Sequence, residues 1–152
     1  MAYTEAQARQ RLLDTLAEAT DSLGSALAAL GEAYEQLDEH NGDVLERDLF
    51  GPVQVAYGRA RRTHSGFASR HGLPARSFEP ATAGAPSRGA RGFIDDGVQA
   101  ARRADDLLAT LQDSMLPVEV GDAEFRAGLE QIRTLLGQLP GRARELERTL
   151  GR

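Results

Sequence analysis

Leucine recurs every seventh residue at Leu16, Leu23, Leu30 and Leu37, with Leu13, Thr20, Leu27 and Tyr34 at the partner positions. That spacing draws one apolar stripe along a helix, and a stripe of this kind must be covered by other helices. Thr4 with Gln7 three residues on reads as a capping box, and Asn41-Gly42 reads as a left-handed stop. The first helix is therefore expected to run to about His40, roughly 55 Å at 1.5 Å per residue. A helix so long favours a bundle over a globule.

Three more helices follow from their periodicity. Asp43 with Glu46 repeats the acidic capping pattern, and Leu45, Leu49, Val53, Tyr57, Ala60, His64, Phe67 and His71 mark one face before Gly72. Gly51-Pro52 predicts a kink or restart early in that helix, because proline lacks an N–H and clashes with the preceding turn. Ile94, Ala101, Leu108 and Met115 alternate with Gly97, Ala104 and Leu111 in a third helix closed by Pro117. Asp122 caps a fourth, carrying Phe125, Leu129, Ile132, Leu136, Leu139, Ala143, Leu146 and Leu150, with a break expected near Pro140-Gly141.

Between the second and third helices, residues 73–92 are rich in Pro, Ala, Gly, Ser and Arg and lose all periodicity. A stretch this long is unusual inside a compact domain and is expected to be functional or flexible. Short connections elsewhere make two antiparallel hairpins. The expected fold is all-α: one domain over residues 1–152, an elongated antiparallel four-helix bundle of two hairpins joined by a long flexible loop.

Composition removes several classes of chemistry. The chain has no cysteine, so disulfides, thiolate nucleophiles and thiolate metal sites are all excluded. None of His40, His64 and His71 follows a Glu by three residues, so the Glu-x-x-His pairs of diiron bundles are missing. His64 and His71 share a face but stand about 10 Å apart along the axis, too far for one ion without further ligands. With no nucleophile motif or phosphate-cradling loop, the expectation is a protein without enzymatic activity, metal or cofactor. The polar start and the lack of an apolar run of about 18 residues predict a cytoplasmic chain with no membrane span.

What remains is charge. All 18 basic residues are arginine, against 23 acids, for a net charge of −5. Residues 1–58 hold 3 arginines and 11 acids, residues 59–103 hold 9 and 3, and residues 104–152 hold 6 and 9. If the loop turned back where it starts, an up-down-up-down order would collect 15 of the 18 arginines, Arg152 among them, at one end. If it crossed to the far end, within reach of twenty extended residues spanning about 66 Å, the order would be up-up-down-down and the arginines would be scattered.

The candidate partner-binding set is Arg59, Arg61, Arg62, Arg70, Arg76, Arg88, Arg91, Arg102 and Arg103. A basic pole steers anionic partners, and the guanidinium fork fits carboxylate or phosphate. A second cluster, Thr20, Gly24, Tyr57, Gly58, Gly97 and Gly137, suggests a narrow waist or a small-molecule pocket. The functional expectation is an adaptor or scaffold contacting an acidic protein surface through its arginine-rich half. The alternatives are a small-molecule binder at the glycine waist, a phosphate-backbone nucleic-acid binder and a self-associating assembly domain. Nucleic acid is disfavoured by the net charge and by the lack of stacking aromatics beyond Phe67, Phe78 and Phe93.

Overall fold

The computed structural model describes residues 4–85 and 88–150. Arg152 and the loop positions 86–87 lie outside the described residues. The described chain is helical without strands: α1 (Glu5–Glu35), α2 (Glu39–Leu45), a π turn (Glu46–Phe50), α3 (Gly51–Arg70), α4 (Ala90–Asp113), α5 (Leu116–Glu119), α6 (Ala123–Gly137) and α7 (Leu139–Leu150). No helix among the described residues is long and apolar enough to cross a membrane.

The start of α1 follows the expected capping box. Thr4 Oγ1 accepts from the Gln7 N–H at 3.1 Å, and Gln7 Oε1 accepts from the Thr4 N–H at 3.0 Å. Its end departs from expectation. α1 stops at Glu35, and Asp38 rather than Asp43 caps the next helix, accepting from the Asn41 N–H at 2.8 Å. Asn41-Gly42 therefore lies inside α2, with the Tyr34 ring packed over Gly42. An accessible carboxylate that captures the free N–H groups of a first turn overrides the weak breaking tendency of Asn-Gly.

At Pro52 the expected interruption takes the form of the π turn. The Gly51 N–H reaches back to Glu46 O, which absorbs the missing proline donor without breaking the helix axis into two separate elements. α4 ends at Asp113, two residues before Met115, which adopts a left-handed φ of 67° and is 51% exposed instead of continuing the seam. Pro117 opens the short α5 and does not merely close α4. The break expected near Pro140-Gly141 falls at Gln138, leaving Pro140 in the first turn of α7, where its absent N–H costs nothing.

Named contacts fix the direction of every long helix. Gly24 lies against Tyr57, and Gly31 against Phe50, so α3 runs antiparallel to α1. Ser22 Oγ donates to Ala100 O at 2.8 Å, Arg103 pairs with Glu18 at 3.7 Å, and Gly97 meets Leu30, so α4 is also antiparallel to α1. Phe67 stacks on Phe125 with ring centroids 4.7 Å apart and Arg59 Nε donates to Gln131, while Arg133 Nε donates to Asp105 at 2.8 Å. α6 therefore opposes both α3 and α4.

It follows that α3 and α4 are parallel. The connection between them crosses the length of the molecule, giving the order up, down, down, up. Neither the up-down-up-down order nor the up-up-down-down order of the sequence reading is present. The crossing segment runs along α1 and α3 as a strap: Arg76 pairs with Asp21, Phe78 packs on His64, Pro80 and Ala81 lie beside Gly24 and Leu27, and Gly84 approaches Phe93. Gly72 (φ 64°) and Gly89 (φ 82°) supply the left-handed turns at its two ends.

The core is one cluster. Leu12, Leu13, Leu16, Leu23 and Leu30 of α1 are buried with Leu45, Leu49, Val53, Phe67, Phe93, Ile94, Leu108, Phe125, Leu129, Ile132, Leu136 and Leu146. Burying each such side chain contributes about 1.5–3 kcal/mol before entropy is counted. α1 and α4 form the most extensive helix pair. Small buried residues, Ala19, Ala26, Ala29 and Ala33 on α1 and Gly97, Ala101 and Ala104 on α4, allow their backbones to come close.

Candidate functional site

Crossing of the strap removes the expected basic pole. It carries Arg88 and Arg91 to the end occupied by α2 and the π turn, where Arg142 Nη1 also donates to Asp48 O at 3.2 Å. Arg70 remains at the opposite end, where α3 closes and α6 opens, and Arg103 lies between. The arginines are thus distributed over the length of the molecule, and many are neutralised. Arg70 pairs with Asp122 and Glu124, Arg76 with Asp21, Arg88 with Asp96, Arg103 with Glu18 and Arg133 with Asp105. Arg59 donates to Gln131 at 2.6 Å, and Arg91 donates to Glu147 O at 3.4 Å.

Arg61 and Arg62 differ. Both are exposed on α3 and make no ion pair among the described residues. Together with Gly58, Ser65 and Gly66 of α3 and Arg76, Ser77 and Phe78 of the strap, they line a groove of about 630 Å³. Gly58 leaves space over which the Arg62 side chain folds. Arg76 holds the strap side, its Nη2 donating to both Asp21 carboxylate oxygens at 2.9 and 3.1 Å while its guanidinium carbon lies 4.7 Å from the centre of the Phe78 ring. Arg102 also makes no ion pair but stands apart, in a 180 Å³ crevice with Asp105, Asp106, Leu136 and Gly137.

A second compartment of about 640 Å³ continues the first. It is lined by Leu27 and Ala28 of α1, Gln54 and Tyr57 of α3, and Pro80 and Ala81 of the strap, and it shares Gly58, Arg61 and Phe78 with the basic groove. Arg61 marks the junction, 5.4 Å from the centre of the Tyr57 ring. Of the expected glycine waist, Gly24, Tyr57 and Gly58 meet here. The other members do not. Thr20 is buried and donates to Leu16 O at 2.7 Å, Gly97 is filled against by Leu30, and Gly137 is exposed in the crevice beside Arg102.

Beneath the strap, His64 is 3% exposed, and its Nδ1 has no hydrogen-bond partner. Phe78 meets it edge-on at 5.3 Å between ring centroids. Burial, aided by the Arg76 charge and opposed by Asp14, holds the imidazole below its ordinary pKa. His71 lies apart, bonded to Asp122 at 3.0 Å. No group of three His, Asp or Glu side chains poised for a metal occurs among the described residues.

On the strap side of this groove the sequence supplies Arg76 as a candidate partner-binding residue and Phe78 as a candidate stacking aromatic, but it gives no signal for Ser77, Pro80 or Ala81. Phe67 and Phe93, the other candidate stacking residues, are fully buried in the core.

Elsewhere, Glu147 of α7 is paired with another acid. Its carboxyl is pushed up to about 7, first by a hydrogen bond shared with Asp95 of α4, then by burial and the Asp95 charge, against the pull of Arg91. In the unfolded chain the same group titrates near 4.5. Between those values the folded protein holds a proton that the unfolded chain has lost, so this contribution to stability is complete below about 4.5 and lost as pH rises through 7. Glu147→Gln is expected to raise stability at pH 8 by on the order of 1 kcal/mol, a few degrees of melting temperature, and to change nothing at pH 4. Thermal melts at both pH values check this, and an equal shift at the two would contradict it.

No protein-family model, curated protein or solved structure matches the chain.

Proposed function

We propose that the chain is an elongated antiparallel four-helix bundle, cytoplasmic and non-enzymatic, that acts as an adaptor or scaffold by capturing the acidic surface of a protein partner. The capture site is the groove between α3 and the strap, not an arginine-rich half of the molecule. One observation carries this reading: Arg61 and Arg62 stand exposed, lining one groove and without ion pairs among the described residues, on a chain whose net charge is −5. Of the other described arginines, eight pair with the chain's own carboxylates and four bond to Gln131 or to backbone oxygens, while Arg102 and Arg144, without an ion pair or hydrogen bond among the described residues, each stand singly outside this groove. A guanidinium without an internal partner is free to form bidentate bonds with carboxylates from outside.

Binding of a fluorescent polyglutamate peptide, followed by anisotropy, tests it. The native chain is expected to bind with an affinity that falls as salt is added. Arg61→Glu with Arg62→Glu is expected to weaken binding by at least about tenfold, through lost pairing and new repulsion, while the melting temperature stays within a few degrees. Equal binding by the variant would remove the proposal. Substitution of Arg88 and Arg103 by Glu serves as the control, since those arginines are occupied by Asp96 and Glu18.

A further inference from the structure

The groove offers more than charge, and its second compartment constrains what an acidic partner must present. Along α3 the lining runs from Gln54 to Gly66, about 18 Å of helix axis, which is the length of about five residues of extended peptide. The Gln54 end is apolar in character, walled by Leu27, Ala28, Tyr57, Pro80 and Phe78. The Ser65 end is basic, walled by Arg61, Arg62 and Arg76 with the hydroxyls of Ser65 and Ser77. Because Arg61 and Phe78 belong to both compartments, an apolar group seated in one lies within one or two peptide residues of a carboxylate on the other.

We propose that the partner is recognised through a short extended segment in which an aromatic or large aliphatic side chain is flanked by Asp or Glu. The apolar side chain enters between Tyr57 and Phe78, and the neighbouring carboxylates bond to Arg61 and Arg62, with Ser65 and Ser77 as further donors. Arg76 keeps its bond to Asp21 and fixes the wall, so it does not serve as the main ligand. This inference rests on the acidic-partner reading and adds to it an apolar anchor.

The division of labour is physical. Charge alone, on an exposed surface screened by salt, gives speed and little selectivity, whereas burying a side chain in the adjoining compartment supplies a salt-insensitive part of the affinity. Tyr57 and Phe78 each already carry a guanidinium over the ring, Arg61 at 5.4 Å and Arg76 at 4.7 Å from the ring centres, so the anchor meets aromatic walls beside positive charge.

The test uses two labelled peptides of equal charge, one with a phenylalanine among glutamates and one with alanine in its place, titrated against the full chain. The anchored peptide is expected to bind at least about tenfold more tightly, with an advantage that persists at high salt. Ala28→Phe, which fills the apolar compartment, should abolish that advantage, so that the two peptides bind this variant equally. Arg61→Glu with Arg62→Glu should weaken both peptides. If the two peptides bind the native chain equally and both respond to the arginine variant, acidic capture stands and the anchor is refuted. If neither binds, or if a single-stranded oligonucleotide displaces both at lower concentration, the underlying reading falls as well.

Discussion

Gly97→Ala is expected to lower the unfolding free energy by about 1–2 kcal/mol, while the same change at Gly137 should raise it by about 0.5–1 kcal/mol. In isolation, glycine to alanine favours a helix at both positions, because it removes backbone freedom from the unfolded chain. Surroundings reverse the sign at Gly97. A Cβ there would lie 2.7 Å from Leu30 Cγ and 3.3 Å from Ala26 O, and Leu30 is 1% exposed, so it has nowhere to move. A Cβ on Gly137 would meet nothing within 4 Å.

Gly128→Ala belongs with Gly97. Its Cβ would overlap Thr63 Oγ1 and come within 2.8 Å of Thr63 Cγ2, forcing α6 away from α3. Thr63→Ala removes both atoms and sacrifices one hydrogen bond, from Thr63 Oγ1 to Arg59 O. The double variant should therefore recover most of the loss, an interaction energy of on the order of 1–2 kcal/mol in a denaturant-unfolding cycle. Additive losses would show that the two helices do not meet there.

Asp122→Ala is expected to cost about 2 kcal/mol, because one carboxylate serves three purposes. It caps α6 by accepting from the Phe125 N–H at 2.8 Å, takes two bonds from Arg70 at 2.7 and 2.9 Å, and bonds to His71 Nε2 at 3.0 Å. Loss of the cap costs about 1 kcal/mol. The ion pair adds a comparable amount after discounting for solvent, since the side chains of Arg70 and Asp122 are 34% and 26% exposed. Asp122→Asn should cost about half as much, asparagine being an equally good cap without the charge.

The pH dependence of this loss separates it from simple packing. Partial burial would push the Asp122 carboxyl up, but the bonds from Arg70, the Phe125 N–H and His71 outweigh it and hold the group well below the usual carboxylate range. The folded pKa lies below the unfolded value of 3.8, so the contribution is complete above that pH and lost as pH falls below it. Urea unfolding at pH 7 and at pH 2.5 should show the gap between native chain and Asp122→Asn narrowing in acid. A constant gap would assign the effect to something other than charge.

Local signals were legible where one or two residues settle the matter. The Thr4 capping box, the Asp122 cap, the glycine end at Gly72 and the buried leucines Leu16, Leu23 and Leu30 all appear as the sequence implies. Errors arose where two local signals competed. Asp38 displaced the Asn41-Gly42 stop, and Met115 lies outside the seam because α4 had already ended. Of the candidate site, Arg61, Arg62, Arg76, Gly24, Tyr57, Gly58 and the aromatic Phe78 were within reach of sequence reasoning, while Ser77, Pro80 and Ala81 were not, since an aperiodic segment carries no record of what it lies against.

The sequence by itself determined that this chain forms long amphipathic helices, which faces they bury, and where the two capped by Thr4 and Asp122 start, because helix periodicity and capping act over one or two turns. It left the direction of α4 undecided, since the connecting segment is long enough to reach either end. Only the tertiary structure decided that this segment crosses, so that every long helix is antiparallel to the neighbours it packs on. That crossing dissolved the expected basic pole into local ion pairs and left Arg61 and Arg62 beside an apolar compartment. Such a juxtaposition depends on contacts between residues far apart in the chain, and no local rule encodes it.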